Sequence, residues 1–297
     1  MATLMMIDQF LNYLRYERNR SPRTVQLYEE SLRDFEAYIQ GVDDCLSLQT
    51  ADTDVVRGWV EHLMDEGKKA TTVNLALSGV RTFYRYALSR HLVAKDPAHA
   101  VTGPKKDKPL PQFVREKDMD ELLDDQHWTD EYKDVRARTI ITLFYETGIR
   151  LAELVGLDDE DVDLDALQLK VTGKRDKQRV IPFGEELAAL LQHYLELRDQ
   201  EVERQTTALF LNKRGERISR SHVQSLVRRY LSEVTTLKKR SPHVLRHTFA
   251  TAMLNNGAGL ESVKKLLGHE SLETTEIYTH TTFEQLKRVY NEAHPRA

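Results

Sequence analysis

The chain has 297 residues, of which 40% are hydrophobic and 30% charged, with a formal net charge of -4 and a single cysteine. That length accommodates two domains of ordinary size, each with its own core, and no stretch of about 18 apolar residues is present to cross a membrane. The N-terminus lacks the basic segment, apolar stretch and small-residue cleavage site of a secreted chain, which predicts a cytoplasmic protein, and Cys45, having no partner, excludes an internal disulfide or a cysteine-based metal site and reads as a small buried or half-buried side chain.

The first third reads as helices only. An apolar repeat runs from Ile7 to Leu14. Ser21 and Pro22 form an N-cap and first helical position ahead of Val25, Leu32, Phe35 and Ile39, with Gly41 as the expected stop. Two further helical runs span about 54–66, stopped at Gly67, and about 71–90, with Val73, Leu77, Val80 and Tyr84 on one stripe. Residues 1–103 therefore predict a small helical bundle without phosphate loops, histidine clusters or paired carboxylates, which suits a binding module better than a catalytic one. The stretch T-G-P-K-K-D-K-P-L-P-Q, residues 102–112, has three prolines, a glycine and no apolar periodicity, and reads as a linker over 104–112.

Residues 113–297 are mixed. Helical periods at 118–124 and 134–146 lead into T-G-I-R-L-A-E-L, residues 147–154, which sets Arg150 at an element boundary. Two β-like runs, 167–172 and 179–182, are joined by G-K-R-D-K-Q and predict a hairpin with Lys174 at its tip. Helices then continue to the end. Basic runs at 15–23, 104–109, 173–179, 212–220 and 237–240 read singly as solvated surface and together as candidate patches for a polyanion, offset in the total by the acidic stretch 158–165.

The segment S-P-H-V-L-R-H-T-F-A-T, residues 241–251, starts a helix. Pro242 suits the first turn, Ser241 is the expected cap, and Leu245, Phe249, Ala252 and Met253 form the core stripe, with His243, Arg246 and His247 off it. His243 and Arg246, three apart, share a side near the helix N-terminus, where unpaired N–H groups and the dipole favour a phosphate or carboxylate. The alternative is that they are capping and surface residues. His243 and His247 have the i, i+4 spacing of zinc proteases, but the general-base glutamate is missing and Arg246 places a fixed positive charge between them, which argues against a metal.

Further on, an amphipathic helix with Leu260, Val263, Leu266 and Leu267 inward ends at Gly268, Ser271 can start the next, and Tyr278 follows His269 by nine residues. In this order and spacing the residues resemble the tyrosine recombinase (phage integrase) family, most closely its Xer subgroup, whose hallmark is Arg, Lys, H-x-x-R, G-H and Tyr. The matching positions are Arg150, Lys174, His243 with Arg246, His269 after Gly268, and Tyr278. The hairpin carries Arg175 where relatives often have a second glycine, which leaves Lys177 as the alternative to Lys174, directly after Gly173.

The resemblance implies a mainly α fold with a small β-sheet: an N-terminal helical core-binding (SAM-like) domain over 1–103 and an α+β catalytic domain over 113–297, together forming a clamp on DNA. It implies metal- and ATP-independent transesterification with no cofactor, Tyr278 as nucleophile and the other five residues as phosphate ligands and proton carriers. It implies double-stranded DNA as substrate, a related second recombinase in a tetramer, and an FtsK-type DNA translocase as partner in resolving chromosome dimers; an integrase of a phage or mobile element is the alternative, and a non-catalytic DNA-binding protein a further one. After Tyr278, Phe283, Leu286 and Val289 make a short apolar strip, which the resemblance assigns to a helix docking into a neighbouring protomer, with packing on its own domain as the alternative.

Overall fold

The computed structural model describes residues 2–106, 111–173, 177–268 and 280–297. Its contacts divide into two compact units, Met1–Pro109 and Leu110–Ala297. Among the described residues no helix is long and apolar enough to cross a membrane.

The first unit is helical. Helix α1 (Ala2–Asn12) passes into a π-helical stretch, Tyr13–Glu17, so this segment runs three residues beyond the expected end at Leu14. Helices α2 (Pro22–Val42), α3 (Thr53–Asp65) and α4 (Ala70–Ser89) follow. Ser21 caps α2 as expected, its hydroxyl accepting from the N–H of Thr24 at 3.3 Å. Gly41 does not stop the helix, which ends one residue later in an extended Asp43. The stripe residues Val25, Leu32, Phe35 and Ile39 meet Val73, Leu77, Val80 and Tyr84 in one core around Trp59, whose indole N–H donates to Asp34 at 3.1 Å. Cys45 is exposed in the turn after α2, contrary to the burial expected of it, because the chain there is a polar turn closed by its own N–H to Asp43 Oδ1 at 2.8 Å.

The second unit is built on helix α6 (Tyr132–Thr147), where every residue from 139 to 149 is buried. Helices α5 (Glu116–Leu123), α7 (Leu151–Gly156), α8 (Glu185–Glu201), α9 (Arg220–Val234), α10 (Pro242–Asn255), α11 (Leu260–Leu267) and α12 (His280–Ala293) complete it. The sheet is antiparallel in the order β1 (Val162–Asp163), β2 (Gln168–Thr172), β3 (Gln178–Pro182). The hairpin register pairs Leu169 with Ile181, Val171 with Arg179 and Thr172 with Gln178. Strand β1 has only two residues, too short for an alternating pattern to announce it.

The C-terminal helix packs on its own unit within this single chain. In this single chain Leu286, Tyr290 and Ala293 are buried in their own unit, and the His294 ring stacks on Phe249 and Tyr290. The apolar strip has a ready-made partner surface in cis.

That docking places Tyr290 on a buried acid. Glu146 of α6 is fully buried; its Oε2 accepts from the Gly184 N–H at 3.1 Å and the Tyr290 hydroxyl at 3.2 Å, while Oε1 has no donor among the described residues. Burial, with Glu186 adding, pushes this carboxyl up to about 8 against the two hydrogen bonds and the charge of Arg296. The folded chain thus keeps a proton that the unfolded chain releases, so stability falls as pH rises from about 4.5 to about 8. Glu146→Gln keeps an acceptor oxygen and removes that slope: its unfolding free energy should exceed wild type by on the order of 2 kcal/mol near pH 8 and converge with it near pH 5. Denaturant titrations across that range test this, and parallel pH profiles would reject it.

Candidate active site

The end of α6 opens the site. Gly148 caps the helix in the left-handed region at φ 59°, and a Cβ there would lie 2.5 Å from Phe249 and 2.8 Å from Leu267. Only glycine lets α6 end directly against α10 and α11. Two residues later Arg150 is the N-cap of α7, and Glu153, at the third helical position, reaches back to accept from the Arg150 backbone N–H at 2.7 Å, the carboxylate half of a capping box.

Three guanidinium groups converge on the far end of α11. Arg179 Nε donates to the carbonyl of Leu266 at 2.9 Å, Arg246 Nη2 to that of Leu267 at 2.7 Å, and Arg150 Nη2 to that of Gly268 at 2.9 Å. Three consecutive backbone oxygens thus each hold a different arginine. Arg246 also donates to the Gly148 carbonyl at 2.5 Å, so its charge sits at the negative ends of two helices.

The carboxylate within this group is Glu153. Arg150 Nη1 donates to its Oε1 at 2.8 Å; Arg179 grips both oxygens, Nη1 to Oε1 at 2.8 Å and Nη2 to Oε2 at 2.9 Å. Burial alone would raise this carboxyl, but the bonds and charge of Arg179 and the bonds from Arg150 outweigh it and bring it down to about 2. Three positive charges face one negative charge, which leaves an excess of two. Arg246 registers that excess: burial, then the charges of Arg150 and Arg179, lower its guanidinium to about 10, with Glu153 opposing. It stays protonated at neutral pH.

Of the six residues expected in the site, the structure brings Arg150 and Arg246 together. Arg246 is buried, not a surface residue off the core stripe, because its fork reaches inward to the two helix ends. His243 is exposed on the first turn of α10, three residues before Arg246. The Ser241 hydroxyl does not cap that helix; its backbone carbonyl accepts from Val244 at 2.9 Å instead. His247 is exposed overall, but partial desolvation of its ring, then the charges of His243 and Arg246, hold its imidazole below the ordinary value. Lys174, His269 and Tyr278 lie outside the described residues. The hairpin that carries Lys174 closes with the Gly173 N–H on the Lys177 carbonyl at 2.8 Å, and a Cβ on Gly173 would stand 3.6 Å from Glu153 Oε1, so the base of the turn abuts the arginine cluster.

Sequence reasoning missed Glu153 and Arg179. The strand pattern held a signal for Arg179: side chains alternate, so a core-facing Ile181 puts residue 179 on the same face. Its membership of the basic run 173–179 pointed the other way. Arg217, from the run 212–220, is likewise engaged internally, on Asp158 at 2.7 Å and the carbonyls of Val155 and Leu157 at 2.9 Å.

With Glu153 ionised in the folded chain down to about 2, its contribution to stability is present above about 4.5 and is lost as pH falls toward about 2. Glu153→Gln should therefore lower the unfolding free energy by on the order of 2 kcal/mol or more near pH 7, with the gap to wild type closing in acid. Equal destabilisation at every pH would show that the loss is steric and not electrostatic.

Residues 112–285 match the phage integrase family, and residues 7–91 match the phage integrase N-terminal SAM-like domain. The chain is 38% identical over 301 residues to tyrosine recombinase XerC of Pelotomaculum thermopropionicum, covering 98% of each, and 34% identical over 295 residues to tyrosine recombinase XerD of Staphylococcus epidermidis, covering 98% of this chain and 99% of that one. Among solved structures, XerH recombinase bound to palindromic difH substrate in a post-cleavage complex has a TM-score of 0.73 at 22% identity, covering 95% of this chain and 83% of that one. Tn1549 transposon integrase in complex with transposon right end DNA has a TM-score of 0.73 at 18% identity, covering 95% and 97%. At those identities the two structures speak to the fold.

Proposed function

We propose, from the premise that this chain belongs to the phage integrase family of tyrosine recombinases, that it cuts and rejoins double-stranded DNA at a specific site through a 3'-phosphotyrosine intermediate. The observation that carries the reading is the pair Arg150 and Arg246, both anchored on the carbonyls that end α11. A phosphodiester displacement builds negative charge on the non-bridging oxygens. Two guanidinium groups, each with five N–H donors and a planar fork that fits phosphate oxygens, supply fixed positive charge there.

In this reading the Tyr278 oxygen attacks phosphorus, a bond to the 3' phosphate forms and the bond to the 5' oxygen breaks. Lys174, or Lys177 from the same turn, gives its proton to the departing 5' oxygen, and His243 takes the tyrosine proton. His269 donates to a non-bridging oxygen. The phosphotyrosine keeps the energy of the broken diester, so the reverse step on a new strand needs no ATP. Contacts to the duplex backbone make binding steeply salt-dependent. The likeness to XerC and XerD relatives over nearly the whole chain supports a cellular role in resolving chromosome dimers, in the cytoplasm on the nucleoid, with a second recombinase in a tetramer and an FtsK-type translocase.

A nicked DNA carrying a chromosomal recombination site, incubated in EDTA with wild-type chain and resolved on a denaturing gel, tests the chemistry. Wild type should leave a covalent complex and Tyr278→Phe none. Arg246→Lys should slow complex formation by on the order of 100-fold, since an ammonium group cannot reproduce the planar fork. A complex that persists in Tyr278→Phe would reject the assigned nucleophile.

A further inference from the structure

Arg179 lies on the core face of β3, opposite Val171 and two residues from Ile181, where an apolar side chain would ordinarily sit. Its guanidinium instead makes three bonds to two other parts of the site: its own hairpin is joined to Glu153 on α7 by two of them and to the Leu266 carbonyl on α11 by the third. We propose that Arg179 is a positioning residue for strand cleavage, which sets the placement of the Arg150 fork by gripping Glu153 and fixes that fork relative to the end of α11. The proposal rests on the recombinase reading of the site.

Arg150 and Arg179 are coupled through one carboxylate. Glu153 Oε1 accepts from both Arg150 Nη1 and Arg179 Nη1, each at 2.8 Å, so the carboxylate is a shared hinge between the two guanidinium groups. Without Arg179, Glu153 keeps only Arg150 as its partner, through the backbone N–H on Oε2 and Nη1 on Oε1, and the carboxylate that holds the Arg150 fork loses its second brace. Lysine would keep the charge but has one nitrogen, which cannot span two carboxylate oxygens and a carbonyl together. A purely stabilising role is the poorer account. Burying an ion pair on a strand's core face carries a desolvation penalty that a well-packed apolar residue avoids, and the same buried arginine braces the hairpin whose base, at Gly173, abuts Glu153.

The test measures covalent-complex formation on nicked DNA from about pH 5.5 to about pH 8.5 for wild type, R179K, R179Q and the double variant R179Q with E153Q, beside DNA affinity and thermal unfolding. R179K should slow complex formation by about 10- to 100-fold with DNA affinity within about twofold of wild type. Because Arg179 is the strongest influence holding Glu153 ionised, R179Q should show a rate that falls more steeply toward acid than that of wild type, and the double variant should lose that additional fall. A wild-type rate and pH profile in R179K and R179Q would overturn the proposal, as would a loss that only tracks the unfolded fraction. Failure of R179K itself to fold would assign the residue to the core and overturn it too. A wild-type chain that never forms the complex would overturn the recombinase reading and this proposal with it, an outcome distinct from a competent wild type beside unaffected variants.

Discussion

Three successive carbonyl oxygens, of Leu266, Leu267 and Gly268, end helix α11, and each accepts from a different arginine. Like charges gathered this closely repel; at an effective dielectric constant of about 20, two unit charges about 5 Å apart oppose each other by roughly 3 kcal/mol. What holds them is the negative end of the helix dipole, with charge-assisted bonds of about 1.5–3 kcal/mol each and one shared carboxylate. Remove the helix end and the cluster has no common anchor.

Much of the second unit follows from presenting that helix end to the right neighbours. Gly148 ends α6 so tightly that Phe249 and Leu267 occupy the space where a Cβ would stand, and its carbonyl becomes the second seat of Arg246. Gly268, at φ 63°, turns the chain out of α11 while keeping its own carbonyl on Arg150. Both glycines sit at left-handed positions that side chains rarely adopt, and both lie where two structural elements must touch. The nearly wholly buried α6 then serves as the axle against which α8, α9 and α10 are registered.

Helices α2 to α6 and the hairpin were legible in the sequence to within a few residues, because apolar periodicity and caps such as Ser21 and Pro22 are local signals; the two-residue β1 and the bounds of α8 and α9 were not. The site was legible only in part. Arg150 and Arg246 could be named from spacing, but their partners could not, since Leu266, Leu267 and Gly268 enter through backbone oxygens that carry no residue-specific mark. Glu153 was hidden in an ordinary helical first turn, and Arg179 in a run of basic residues where charge counting suggested solvent. Cys45 and the Ser241 cap failed for a similar reason: residue type sets a preference, and the surrounding turn decides whether it is met.

Charge runs also mislead about where positive potential resides. Arg217 pairs with Asp158, and Arg198 with Asp159 at 2.7 Å, so part of the acidic stretch is answered inside the fold. A chain of net charge -4 can still favour a polyanion at one place if its uncompensated cations are concentrated there. Here three guanidinium groups gather beside one carboxylate, which bonds two of them, and the helix carbonyls, being dipoles and not charges, hold them without cancelling them. The cations are therefore already oriented in the folded chain, and the repulsion between them has been met during folding. In the function proposed above, a phosphate group that gains charge during reaction would meet donors that need not reorganise, which is the condition under which electrostatic stabilisation is most effective.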